Sequence, residues 1–437
     1  MNRLNRFVAA TLVAMALVAA GAWTRGVFAQ SSGGVLVLSL DGPLTPAFKL
    51  YLERGLPLAE RDEAALVILQ LRTPGGEIGL MNDMVDMIRN SPVPVVVFVA
   101  PRGSNAWSAG TVITLAGHAS AMAPETSIGA ASPVGGQGED LGSALESKVK
   151  EALKAKVRVL AARRSLEAVA FAESTIDAAK AATAEEAYEV GLVDFLADDV
   201  PDLLQQLEGF SVEVAGGART LHTRDLTMTE LPMNLLETVL NLLNNPNIVS
   251  LLLSLGGLLI WVEVSQPGGW VAGFLGVVCL AFALYGLSVL PVNWFGIVFI
   301  LIAFVLFVMD VFATSHGALT VAAAASFIVG ALVLFNSSAT PDYFRVNVPL
   351  VVVTSLVMAG VSLLLLTIGL RAQRRPVAVG AETLVGQVGE ARSPNSVQVA
   401  GELWSAEGVD GALEAGEKIE VAAVKGLRLL VKKKKGG

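Results

Sequence analysis

The sequence predicts three structural classes in succession: an α/β domain, an all-α membrane bundle and a small all-β barrel. Three observations carry this reading. In the N-terminal half, short β-rich apolar runs, "VLVLSL" (35–40), "LVILQL" (66–71) and "VPVVVFVA" (93–100), alternate with amphipathic stretches. Apolar segments near 247–264, 270–289, 293–313, 317–336 and 348–370 come next, separated by short turns. The last sixty residues alternate apolar and polar residues in short runs broken by Gly, Pro and Asn.

Composition agrees. Hydrophobic residues make up 53% of the 437 residues and charged ones only 16%, with a mean hydropathy of +0.62, so a membrane protein with soluble parts is expected. A net charge of −8 offers no overall basic field for nucleic acid, and none is expected as a partner. The single cysteine, Cys279, lies in an apolar run, which excludes a disulfide framework and a cysteine-ligated metal site.

Taken in order, residues 1–30 read as a secretory signal: Arg3 and Arg6, an apolar stretch from Phe7 to Ala20, and the small-residue site Val27-Phe28-Ala29. An uncleaved anchor helix is the alternative, and both place the α/β domain outside the cytoplasm. That domain spans 31–207, with joins at "RTPGGE" (72–77) and "APRGSN" (100–105). A polar linker and juxtamembrane segment covers 208–246 and is expected to carry a short strand or two. The membrane bundle covers 247–371. With an odd number of spans and the N-terminal domain outside, "RAQRR" (371–375) falls inside, as the positive-inside rule requires. Glu263 and Asp310 sit at segment ends, where a carboxylate reaches the interface; a buried polar group contacting a partner helix is the alternative. The barrel covers 378–437, with an OB-type fold expected. Trp404 is its one aromatic residue, so it reads as a protein-interaction module and not a nucleic-acid platform.

The chemistry centres on "NAWSAGTVITLAGHASAMAP" (105–124). Ser108 is either a nucleophile or a small packing residue. A nucleophilic serine needs a base and oxyanion donors. Of the three histidines, His222 lies in the linker and His316 in a membrane turn, while His118 would stand about 15 Å along a helix starting at Ser108. Lysine serves as a base when its surroundings are apolar, and "ESKVKEALKAKVRVLAARRS" offers Lys148, Lys150, Lys154 and Lys156. Gly75-Gly76 brings backbone N–H groups close without side-chain hindrance, and the Ala109 N–H, at a helix start, is the second donor.

These segments, "TPGGE", "VPVVVFVAPRGSNAWSAGTVITLAGHASAMAPETSIGAASPVG", "AATAEEAYEVGLVDFLA", "NPNIVSLLLSLGGLLIWVEVSQPGGWVAGFLG" and "LVGQVGEA…VQVAGELWSA", together resemble the long-form NfeD family of membrane-bound serine proteases, over nearly the whole chain. The resemblance implies a Clp/crotonase-like protease domain of spiralling ββα units and a serine-lysine dyad. Its nucleophile falls on Ser108 and its lysine on Lys148, with Arg158 as a later arginine and Lys150 as the other candidate base. It implies oxyanion binding by Gly75, Gly76 and Ala109, with no cofactor and no metal. It further implies cleavage of apolar segments of membrane-associated proteins, stomatin- or flotillin-like partners, and a homo-oligomer. Two positions depart from the pattern: Glu151-Ala152 replaces a common Asn-Asp pair, and Trp107 replaces a small residue. An inactive scaffold that organises stomatin-like proteins through the barrel is the alternative function.

Overall fold

The computed structural model describes residues 33–135, 142–265, 269–312, 317–336, 344–373 and 381–434. The expected signal segment, 1–30, and His316 lie outside the described residues. Two compact units emerge: one runs to Val308 and takes in Ala322–Leu356, the other comprises Met309–Val321 and the chain from Val357 onward.

The first unit begins with β1 (Val35–Asp41), α1 (Pro46–Arg61), β2 (Leu66–Arg72), α2 (Ile78–Arg89) and β3 (Val95–Val99). A short strand β4 (Asn105–Trp107) leads into α3 (Ala109–Ala116), then β5 (Ala119–Met122) and β6 (Ser127–Gly129). Next come α4 (Ser143–Leu160), α5 (Leu166–Asp177), β7 (Ala181–Thr183), α6 (Ala184–Glu189), β8 (Phe195–Leu196) and α7 (Val200–Leu207). The domain closes with β9 (Ser211–Val214), β10 (Gly217–Thr220), β11 (Met228–Glu230) and α8 (Leu235–Leu242).

A six-stranded sheet, in the order β11-β1-β2-β3-β5-β8, is parallel at every pairing. Parallel strands joined by crossover helices are covered on both faces, which is why these strands are continuous apolar runs. Leu36, Leu38, Val67, Leu69, Val95 and Val97 face the core shared with α1 to α5. Val35, Val37, Ile68 and Phe98 face the other way, onto Leu203 and Leu207 of α7 and Val212 and Val214 of β9. Strands β4, β6 and β7 form a small separate sheet.

Segment 208–246, expected as a linker, contributes structure to this domain. β11 pairs in parallel with β1 as the sheet's edge. The buried Glu237 of α8 receives two hydrogen bonds from Arg54 of α1, each at 2.7 Å, and its side chain also completes a capping box with Asn234.

Five apolar helices come after it: α9 (Pro246–Ser265), α10 (Val271–Val289), α11 (Phe295–Phe312), α12 (Ala318–Phe335) and α13 (Val348–Gln373). Among the described residues α9, α10 and α12 are long and apolar enough to cross a membrane, and Phe295–Asp310 and Val348–Leu364 are shorter apolar stretches. Small residues set the helix contacts, as expected where lipid removes the hydrophobic drive between helices. A Cβ on Gly276 would lie 3.0 Å from the Gly256 carbonyl, and one on Gly330 would lie 2.9 Å from that of Gly296. Glu263 turns back to accept from the Trp270 N–H at 2.9 Å, ahead of α10. Asp310 follows the alternative reading and not the interfacial one: it is 4% exposed and accepts from Thr320 Oγ1 of the next helix at 2.5 Å.

In the second unit β12 (Val388–Ser393), β13 (Ser396–Val399), β14 (Glu402–Gly408), β15 (Lys418–Lys425) and β16 (Arg428–Lys433) close into a barrel in the order β12-β13-β14-β16-β15. The alternation seen in the sequence has its cause here: Val397, Val399, Ile419, Val421, Leu429 and Val431 fill the interior.

One partly buried ion cluster fastens α4 and α5 to the sheet. Arg163 and Arg164, in the turn between those helices, both hydrogen-bond Asp194 at 2.8–3.2 Å, and Arg164 also donates to Ser120 Oγ at 2.7 Å. Burial alone would raise the Asp194 pKa, but the hydrogen bonds from Arg163 and the charges of Arg164 and Arg163 outweigh it and hold the carboxyl below the usual range. Asp194→Asn leaves the buried Arg164 charge uncompensated, and a loss of about 3–5 kcal/mol is expected in chemical denaturation of the full chain. A loss under about 1 kcal/mol would show that the cluster is not structural.

Candidate active site

β2 ends at Arg72, and Thr73-Pro74-Gly75-Gly76 leaves the sheet at the carboxyl end of its strands, the side where open α/β sheets bind ligands. Thr73 is fully buried and ties this turn to β4: its N–H donates to the Asn105 carbonyl at 2.7 Å, and its own carbonyl accepts from the Trp107 N–H at 3.0 Å. The Gly75 N–H is used internally, donating to Thr73 Oγ1 at 3.0 Å. The Gly75 carbonyl accepts from the Leu44 N–H at 2.8 Å, fastening the turn to the segment after β1.

Ser108 stands between β4 and α3 with φ 54° and ψ −120°, a conformation that costs a residue with a side chain of order 1–3 kcal/mol. Its surroundings over-determine it. The Ser108 N–H donates to the Gly129 carbonyl at 2.9 Å, and the Thr111 hydroxyl lies 2.9 Å from the Ala106 and Gly129 carbonyls while accepting from the Gly129 N–H. A Cβ on Gly75, itself at φ +120°, would lie 2.7 Å from Ser108 Cβ and 3.0 Å from Ser108 Oγ. Gly110 is required as well, since its Cβ would meet Thr73 Cγ2 at 2.5 Å. The sequence "AWSAG" is therefore the set of residues that lets this turn and helix close on one another.

Gly75 and Gly76 have different parts. Gly75 backs onto Ser108, whereas a Cβ on Gly76 would strike Leu44. Among the described residues, no acceptor is bonded to the N–H groups of Gly76 or Ala109. Trp107 is 40% exposed beside the serine, and its ring is pinned by an Nε1 hydrogen bond to Ser127 Oγ at 2.8 Å.

The candidate lysines separate on α4. Val149, Leu153, Val157 and Leu160 pack on the core. Lys150 pairs with Glu146 at 2.8 Å and donates to the Asp177 carbonyl at 3.3 Å; Lys154 pairs with Glu151 at 3.0 Å; Lys156 donates to Asn82 Oδ1 at 2.5 Å. Lys148 is exposed and makes no hydrogen bond or ion pair among the described residues, with Ser108 or with any other group. Arg158 pairs with Glu173 of α5 at 2.5 Å, and the Arg164 side chain is 3% exposed. Thr73, Thr111, Gly110 and Gly129 carry no distinguishing signal in the sequence, because only tertiary contact brings them against Ser108 and its turn.

Neither described histidine is bonded to Ser108. His222 is exposed and lies 3.3 Å from Glu208. His118 is 2% exposed, its Nδ1 accepting from the Val95 N–H at 3.0 Å and its own backbone N–H donating to the Val95 carbonyl at 2.8 Å. It pins the start of β3. Among the described residues no cluster of His, Cys, Asp and Glu could hold a metal.

Three family descriptions match in succession: the NfeD1b N-terminal domain over residues 35–215, the NfeD integral membrane domain over 247–368, and the NfeD-like C-terminal, partner-binding domain over 381–433. Membrane-bound protease PH1510 of Pyrococcus horikoshii is 30% identical over 418 residues, 92% of this chain and 94% of that protein. The chain belongs to the NfeD family. Membrane protein NfeD1b of Bacillus subtilis is 30% identical over 264 residues, 58% of this chain and 56% of that protein. Among solved structures, an alanine-for-lysine mutant of the 1510-N membrane-bound stomatin-specific protease in complex with a substrate peptide is 30% identical, covering 48% of this chain and 96% of that one, with a TM-score of 0.44. ClpP1 from Listeria monocytogenes is 18% identical, covering 38% and 94%, with a TM-score of 0.33. This NfeD protein is therefore a membrane protein homologous over almost its whole length to a membrane-bound protease.

His118 yields a pH test. Burial, aided by the positive charges of Arg89 and Arg163, lowers its pKa from the ordinary 6.5 to about 4. The unfolded chain takes up this proton below pH 6.5 and the folded one only near pH 4, so the stability His118 confers is complete above 6.5 and is lost as pH falls toward 4. The loss amounts to about 3 kcal/mol. Denaturation of the His118→Asn variant, whose side-chain oxygen can still accept from the Val95 N–H, should show a flatter fall between about pH 7 and pH 4.5 than the wild type. Equal slopes would remove His118 from the acid response.

Proposed function

We propose that this NfeD protein is a membrane-anchored serine endopeptidase with Ser108 as nucleophile, Lys148 as general base and the N–H groups of Gly76 and Ala109 as oxyanion donors, Gly75 shaping the turn. The observation that carries this reading is the backbone at Ser108: a serine held at positive φ, with a glycine backed onto its side chain and two unbonded N–H groups on the flanking segments. A packing serine has no need of that cost. Lys148 is favoured over its neighbours because Lys150, Lys154 and Lys156 are engaged elsewhere.

In this reading Ser108 Oγ attacks the peptide carbonyl as the Lys148 amine takes its proton, and the two N–H groups hold the resulting oxyanion. Lys148 then protonates the leaving amine, and water releases the acyl-enzyme. A lysine works as a base where water is excluded from its amine, and an apolar substrate strand lying over the site would exclude it. We propose apolar segments of membrane-associated, stomatin- or flotillin-like proteins as substrates, since the solved relative is described as stomatin-specific and tethering at a bilayer raises the effective concentration of such substrates. The proposed topology sets the N-terminal domain outside and the partner-binding barrel in the cytoplasm, in a homo-oligomer.

Full-length protein in detergent, given an apolar peptide and a fluorophosphonate probe, tests this. Wild type should be labelled and active, and Ser108→Ala should be neither. Lys148→Ala should lose about 10²–10⁴-fold in kcat. Gly75→Ala should lose labelling while Gly142→Ala, at an open position, keeps it. Cleavage retained in Ser108→Ala would refute the serine mechanism, and an unlabelled, inactive wild type with intact partner binding would favour the scaffold.

A further inference from the structure

Helix α8 is amphipathic in the wrong sense for a helix lying on a water-soluble domain. Three of its four leucines point outward, Leu235 being 64%, Leu236 61% and Leu242 53% exposed, while Leu240 is half-buried. Its one charged residue, Glu237, points inward and is 2% exposed, locked to Arg54. Asn241, one turn on, lines a cavity of about 600 Å³ together with Tyr51 and Leu231. A helix folded against its own domain and facing water buries its leucines and exposes its carboxylate. Here both choices are reversed, so the outward face is matched to a solvent less polar than water.

The chain indicates which solvent. After Leu242 only Leu243, Asn244 and Asn245 intervene before α9, the first helix of the integral membrane domain. The outward leucines therefore stand on the helix that immediately precedes the integral membrane domain. The helix carries no Lys or Arg, so attraction to anionic headgroups is not what holds it.

We propose that α8 is an interfacial helix, seated in the headgroup and upper acyl region of the bilayer through Leu235, Leu236 and Leu242, and that its inward Glu237–Arg54 pair fixes the α/β domain to the membrane surface. The partner surface is zwitterionic lipid, recognised by apolar burial. This inference does not depend on the proteolytic reading.

The test uses the full chain in phosphatidylcholine nanodiscs, with a bimane label at Leu236→Cys or Leu242→Cys in a Cys279→Ala background and a control label at Glu213→Cys on β9. Lipids doxylated near the headgroup should quench both α8 labels at least about two-fold and leave the control unchanged, while aqueous iodide should quench only the control. Labels on α8 that respond to iodide and not to doxyl lipid would show the face to be in water. Labels that respond to neither would show it covered by protein, a second copy included. Either result overturns the proposal.

Discussion

The closure of the Thr73–Gly76 turn onto Ser108 is the constraint on which the α/β domain's functional end depends. A serine at φ 54° persists only if its neighbours leave it no alternative. They do so from three directions: Gly129 receives its N–H, Gly75 occupies the space beside its Cβ, and Thr73 ties the whole turn to β4. Each contact demands a small or β-branched residue. Gly110 is needed because Thr73 lies beneath it, and Gly129 because the Lys180 carbonyl lies against it. The cost of Ser108 is thus spread over a network whose members have no chemistry of their own.

The membrane part obeys the same logic with different materials. Where no water is present to drive helices together, close approach comes from missing side chains, as at Gly256 with Gly276 and Gly296 with Gly330. The polar ends are then fastened by amides. Asn247 accepts from the Asn347 N–H at 2.7 Å, and Asn336 both accepts from the Val346 N–H and donates to its carbonyl. Both devices avoid net charge, as a low-dielectric surrounding requires.

Long periodic features were legible in the sequence. The central strands announced themselves because burial on both faces forces uninterrupted apolar runs, and the five apolar helices and the barrel strands could be read from length and alternation. Ser108 stood out once its glycine-rich neighbours were considered together. What could not be read is what tertiary contact alone decides. β11 is a three-residue strand, "MTE", whose pairing with β1 exists only because the chain returns to that edge. Arg163, Arg164 and Asp194 are ordinary letters until the fold gathers them about Ser120. The lysine helix is a middle case: its periodicity was visible, and which amine has a partner was not.

The serine site and the membrane border are joined through β1. On one side it pairs with β11, which runs directly into α8 and the first membrane helix. At its carboxyl end the chain continues through Gly42 to Leu44, whose N–H holds the Gly75 carbonyl. The turn that backs onto Ser108 and the helix that precedes the first membrane helix are therefore attached to a single buried strand, with the Arg54–Glu237 pair bracing the helix from α1. A strand of this kind, sealed between two cores, deforms little because interiors are close-packed. The turn beside Ser108 and helix α8 are consequently held in a fixed relation by rigid secondary structure, and neither can shift without disturbing the packing of β1.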